Sequence, residues 1–191
     1  MRHYARQNAY NRILIVAVAW VANYLHFTRF GLYEDDWFFV GFPFVVDIKT
    51  WMGQSLWGQL TVASQGRPVQ MVFDYIFAEI GAITNSLAVD YLLAFSLFST
   101  SALLMYEVLG RRFSRLVATL AALLFVLTPL HTLHQFLNGQ FSAAPAFILV
   151  FLAMLLYLNG SRGWSYVVAL LAVFSYESIF FLFLGAPLLK R

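Results

Sequence analysis

Residues 87–115 read LAVDYLLAFSLFSTSALLMYEVLGRRFSR. A bilayer crossing takes about 20 apolar residues as a helix, and Leu87 to Leu109 meets that length. Gly110-Arg111-Arg112-Phe113-Ser114-Arg115 then breaks the helix and supplies three arginines. Three further apolar runs follow, Leu116–Leu130, Ala143–Leu158 and Trp164–Leu189. They are separated by a joint from Leu130 to Ser142, opened by Pro129, and by Asn159-Gly160-Ser161-Arg162-Gly163. Upstream, Ile13 to Phe27 is apolar and follows Arg2, Arg6 and Arg12. A cleaved signal peptide has the same order, but no small-x-small site follows, so this run reads as a retained first helix.

The composition agrees. The chain has 191 residues, 61% hydrophobic and 11% charged, with no cysteine. A soluble domain has about 45–50% apolar and about 25% charged residues. Disordered chains, disulfide scaffolds and cysteine-based metal sites are excluded. The 18% of aromatic residues suits bilayer interfaces. A net charge of +3 is a weak argument for nucleic acid, and no nucleic-acid partner is expected. The expected fold is all-α: a polytopic transmembrane helix bundle, surrounded by membrane lipids.

Charge placement sets the topology. Arg2, Arg6, Arg12, Arg111, Arg112, Arg115, Arg162, Lys190 and Arg191 occupy the chain ends and alternate joints, whereas Glu34, Asp35, Asp36, Asp47, Asp74 and Glu79 lie between Gly31 and Ser86, against Lys49 and Arg67. The positive-inside rule then gives a cytoplasmic N-terminus over 1–12, a first span over 13–28, an outer loop over 31–86 and further spans over 87–191. All belong to a single transmembrane domain, 1–191. Trp164–Leu189 reads either as one helix or as a hairpin breaking near Ser175-Tyr176-Glu177-Ser178. The hairpin is favoured because it returns Lys190 and Arg191 to the cytoplasmic side.

Within the outer loop, Val69, Val72, Phe73, Ile76, Phe77 and Ile80 recur at helical spacing, which predicts an amphipathic helix from Pro68 to Ile80. Gln70 and Asp74 fall on another face. Trp51 to Leu60 is a weaker second helix. Both read as surface helices at the membrane interface or as a cap packed on the bundle.

Four places could carry chemistry. Glu34-Asp35-Asp36 gathers three acids beyond the first helix. Like charges this close raise one another's pKa, and one carboxylate could serve as a general base while another holds a cation or a sugar. A solvated turn is the plain alternative. Gly66-Arg67-Pro68 sets a guanidinium at a helix start, suited to a phosphate, or to pairing with Asp74 or Asp47. His131 and His134, with Asn138 nearby, have a spacing two metal ligands can use, which leaves a divalent metal open; an interfacial polar turn is the alternative. Glu177 sits between apolar flanks, and is a functional candidate if it lies at membrane depth. Glu107 is expected to pair with Arg111 one turn on.

The order of these features resembles the front half of the GT-C glycosyltransferases, and the protein mannosyltransferase-like and O-antigen glucosyltransferase-like branches in particular. These are integral membrane enzymes that use polyprenyl-phosphate sugars. The resemblance implies that Asp35 and Asp36 match the acidic catalytic motif of the first outer loop. Gly66-Arg67-Pro68 is similar to a motif between the loop helices, and Tyr176-Glu177 to a later acidic motif whose usual lysine is missing here. By this likeness the substrates are a lipid-linked sugar donor and a glycan, lipid or protein acceptor. The donor is a substrate, and no cofactor is certain. Asp35 and Asp36 would be catalytic, and Glu34, Arg67, His131, His134, Asn138 and Glu177 would bind substrate. The setting would be a bacterial plasma membrane, and the family architecture is longer than these residues. A non-catalytic scaffold or assembly subunit of the same fold is the alternative.

Overall fold

The computed structural model describes residues 2–41, 44–45, 53, 57–58, 61, 66–128 and 136–190, with side chains from residue 7 onward. Its elements are helical, with no strand among the described residues. Helix α1 spans Arg2–Ala19 and continues through a π-helical turn, Trp20–Tyr24. It therefore starts well before the apolar run, because a polar segment extends a helix at little cost once the apolar part has nucleated it. Helix α2 is a single turn, Asp36–Phe39. Helix α3 spans Pro68–Thr84, α4 Leu87–Leu109, α5 Arg115–Leu127, α6 Leu137–Leu158 and α7 Arg162–Ser175. Helix α8, Glu177–Phe180, runs on as a 3₁₀ helix, Phe181–Leu189.

Two of these helices, α4 and α6, are long and apolar enough to cross a membrane; α5, α7 and the segment Glu177–Leu189 are apolar but shorter. The caps explain several boundaries. Pro68 takes the first turn of α3, where its missing N–H costs nothing. Asn85 ends the same helix at φ 49°, and this left-handed residue lets α4 begin two residues later. The Ser114 hydroxyl accepts from the Val117 N–H at 3.3 Å and starts α5.

Cross-chain contacts divide the bundle into two ends. At one, Arg12 bonds Glu107 at 2.7 Å and Arg115 lies 3.6 Å from the same carboxylate. Glu107 thus pairs with Arg12 and Arg115, and the expected Arg111 pair is not among its bonds; Gly110 ends α4 before Arg111 can complete the helical turn. At the other end, the Tyr91 hydroxyl bonds the Gly31 carbonyl, Arg67 meets Glu177, and Gln70 meets Ser142. Both ends of α3 lie here, since Gly81 packs directly on Asp90 in the first turn of α4. Helix α3 therefore lies across this end of the bundle.

The last helices form a hairpin. Tyr176 breaks the run at φ −156° and ψ 99°. The Phe183 ring then lies 6.2 Å from those of both Tyr166 and Tyr157. In one straight helix residues 166 and 183 would stand roughly 25 Å apart.

Burial does not follow the hydrophobic stripe. Helix α3 buries Met71, Asp74, Tyr75, Ala78 and Gly81, while Val72, Ile76 and Ile83 are exposed. The face that carries Gln70 and Asp74 is in the interface: Asp74 is buried and Gln70 bonds Ser142. Helix α7 likewise buries Ser165, Ala169, Ala172 and Ser175 and exposes Trp164, Val167, Leu170 and Phe174. Small residues bring helix backbones close, and large apolar ones are left to face outward, as they do against lipid. The predicted helix at Trp51–Leu60 lies almost wholly outside the described residues.

Candidate functional site

The site end is assembled from the acidic turn, Arg67 with its partner Glu177, and the start of α6. The first is the acidic turn. Glu34 is exposed and holds a left-handed φ of 43°, unusual for a residue with a side chain. Asp35 is exposed beside it. Asp36 is 0% exposed.

The Asp36 carboxylate reaches across the fold. One oxygen accepts from the Asn138 N–H at 2.8 Å, and the other from the Leu137 N–H at 3.1 Å and the Tyr33 N–H at 3.3 Å. Leu137 and Asn138 open α6, and the first N–H groups of a helix have no partner within it. A carboxylate there also suits the positive end of the helix dipole. This contact explains why α6 begins at Leu137, although the apolar run starts only at Ala143. Burial raises the Asp36 pKa, the three N–H groups hold it back, and Asp35 adds the smallest push. Mutual repulsion among the three acids, the expected cause, is therefore secondary.

The second segment is Arg67. Its guanidinium forms a two-pronged bond with the Glu177 carboxylate, at 2.8 Å and 2.6 Å, and lies 4.3 Å above the Tyr176 ring. The partner is Glu177, from the hairpin 110 residues away, and this pairing replaces the expected one with Asp74 or Asp47. Arg67 holds the Glu177 carboxyl below its usual range, and Glu177 in turn raises Arg67. Half of the Glu177 side chain faces outward, whereas Arg67 is mostly covered.

The third segment is the start of α6. Asn138 offers its backbone N–H to Asp36, and its side-chain oxygen is buried. His131 and His134 lie outside the described residues. Among the described residues, no group of three His, Asp or Glu gathers as a metal site would require.

A cavity of about 200 Å³ opens below Tyr176, lined by Phe98, Phe125, Gln140, Phe147 and Ile179. It is mostly apolar, with Gln140 and Tyr176 facing it from the polar side. Phe125 and Phe147 also line a second apolar cavity of about 440 Å³ that runs on to Met105, Met154 and Leu182.

Sequence reasoning missed the polar contacts under α3. Gln70, Asp74 and Ser142 meet there, and burial pushes the Asp74 carboxyl up to about 8 against the lowering effect of Gln70 and Ser142. A signal was available: Gln70 and Asp74 are one helical turn apart, as are Asn138 and Ser142. Comparison with known protein families, curated proteins and solved structures finds no match to this chain.

Proposed function

We propose that this chain is a membrane glycosyltransferase, or the front part of one. It would transfer a sugar from a polyprenyl-phosphate donor to an acceptor hydroxyl at the acidic end of the bundle. The bundle crosses the membrane several times with the N-terminus cytoplasmic, and the acidic end faces out. One observation carries the reading: Asp35, Arg67, Asn138 and Glu177, spread over more than half of the sequence, belong to one end of the bundle beside an apolar cavity.

In this reading Asp35 is the base. It is the exposed aspartate, while Asp36 has both oxygens engaged by backbone N–H groups and serves to position the turn. The Asp35 carboxylate takes the proton of the acceptor hydroxyl as that oxygen bonds to the anomeric carbon. The bond from that carbon to the phosphate oxygen breaks at the same time, so the centre inverts. The phosphate leaves with increased charge, which Arg67 at the start of α3 stabilises. Tyr176 and Glu177 fix the guanidinium in place. Glu34 and Asn138 border the acceptor and sugar, with His131 and His134 assigned to the same side by sequence.

The test is transfer of labelled sugar from a polyprenyl-phosphate donor in membranes carrying the chain. Asp35→Asn is expected to lower transfer at least about a hundredfold, in line with loss of a general base, with insertion unchanged. Full transfer by that variant overturns the base assignment. The engaged state of Asp36 also favours a second reading, a scaffold whose acids only shape the fold. Wild-type membranes with no transfer to any acceptor would support it.

A further inference from the structure

The outer face of α1 carries a groove of about 600 Å³ that the site does not use. Ile13, Val16, Ala17, Trp20 and Val21 recur at helical spacing and line it, with Arg12 at one end. Toward the other end Phe95 of α4 joins the lining, its ring edge to face with Trp20 at 4.9 Å. Ile15 and Ala19, on the opposite side of α1, are fully buried, whereas Ile13 and Val21 are 64% and 62% exposed. The groove therefore opens away from the bundle.

Length and charge select what fits. From Arg12 to Val21 the helix rises roughly 13 Å. The hydrocarbon core of a bilayer is about 30 Å thick, so the groove is about as long as one leaflet is deep. A partner helix crossing the whole core would need a longer face. At the charged end, Arg12 turns Nε and Nη2 to one oxygen of Glu107, at 3.0 and 2.7 Å, and Nη1 takes no part in that bond. Arg115 lies 3.6 Å from the other oxygen. Two guanidiniums on one carboxylate leave a positive charge in excess, and Arg111 and Arg112 stand exposed in the turn between α4 and α5. Half of the Arg12 side chain is open to a headgroup. A guanidinium suits a phosphate, and basic pockets between membrane helices bind anionic headgroups. A zwitterionic headgroup would bring its own cation to an end already in positive excess.

We propose that this groove holds one acyl chain of an anionic glycerophospholipid, with the lipid phosphate on Arg12. The bound chain braces α1 against Phe95 of α4. The site needs the bundle to lie in a bilayer, not to transfer sugar, so its test reads stability and not activity.

The experiment measures melting of the full chain in phosphatidylcholine nanodiscs titrated with phosphatidylglycerol of the same chain length, at constant ionic strength. The melting temperature is expected to rise saturably, since a ligand that binds only the folded state stabilises it. Phosphatidylserine should reproduce the rise, and glycerol phosphate, which has no acyl chain, should not. Ala17 is exposed, and Ala17→Trp fills the groove and should abolish the saturable rise. Arg12→Gln should raise the half-saturating lipid fraction about tenfold, the loss of one charge-assisted contact. Equal melting with and without phosphatidylglycerol overturns the proposal. A rise that never saturates, or that Ala17→Trp leaves unchanged, assigns the effect to membrane surface charge and overturns the groove. A rise with glycerol phosphate assigns it to a free anion and overturns the acyl chain. A chain that does not enter nanodiscs overturns the membrane setting itself. Should Arg12→Gln not fold, the Ala17→Trp result decides.

Discussion

Asp36 and Asp74 are the same residue type, both buried, and both beside the first turns of α6. Their surroundings differ in one respect. The Asp36 carboxylate is met by three backbone N–H groups that needed an acceptor. The Asp74 carboxylate enters a helix–helix interface where only the Gln70 and Ser142 side chains approach it, too weakly to offset its burial. Burial alone therefore does not say what an acid does. Its donors decide: a carboxylate met by three N–H groups is a fastening, and one that lacks them is pushed to keep its proton.

Asp36→Ala is the harshest test of that contrast. It orphans three backbone donors, two of them at the N-terminus of α6, and should cost about 3 kcal/mol. Denaturation of the detergent-solubilised chain measures it, and a loss below about 1 kcal/mol would break the fastening role.

Asp74→Asn should act in the opposite direction. The unfolded carboxyl titrates near about 3.9, and the folded one is pushed up to about 8. Between these values the folded chain keeps a proton that the unfolded chain has lost, so stability falls as pH rises through the window. The variant should melt higher than the parent above pH 8 and close to it at pH 4. Melting curves at both pH values check this; a parent that gains stability with rising pH, relative to the variant, would contradict it.

Glu177 sharpens the comparison from the exposed side. Its carboxyl is well paired, yet half in the open, where solvent weakens an ion pair. Glu177→Gln should change stability by less than about 1 kcal/mol. The contribution of the charged pair is present at neutral pH and fades as acid protonates the carboxyl, since Arg67 lowers its pKa. Melting of the variant and parent at neutral and acidic pH reads both effects.

Much of the helical framework was legible in the sequence. Leu87–Leu109 has the expected boundaries, and the break at Tyr176 was foreshadowed by the charges that follow it. The site was legible in part. Asp35, Asp36, Arg67 and Glu177 drew attention as rare charges in an apolar chain, but the pairing of Arg67 with Glu177 spans 110 residues and has no local signature. The start of α6 was missed for the same reason, because the acceptor that caps it is Asp36, about a hundred positions away.

The direction in which each helix faces was the larger surprise. Periodicity located the stripe on α3, yet Val72 and Ile76 face outward, Phe77 packs on Phe141, and Asp74 points inward. On α7 the buried residues are the small ones, Ser165, Ala169, Ala172 and Ser175, and small residues let helix backbones approach closely. The sequence by itself determined that this chain is helical, apolar and asymmetrically charged, because those properties follow from local composition and spacing. Tertiary structure alone decided which acid is fastened, which is paired and which is pushed to keep its proton, because each outcome depends on donors brought from distant parts of the chain.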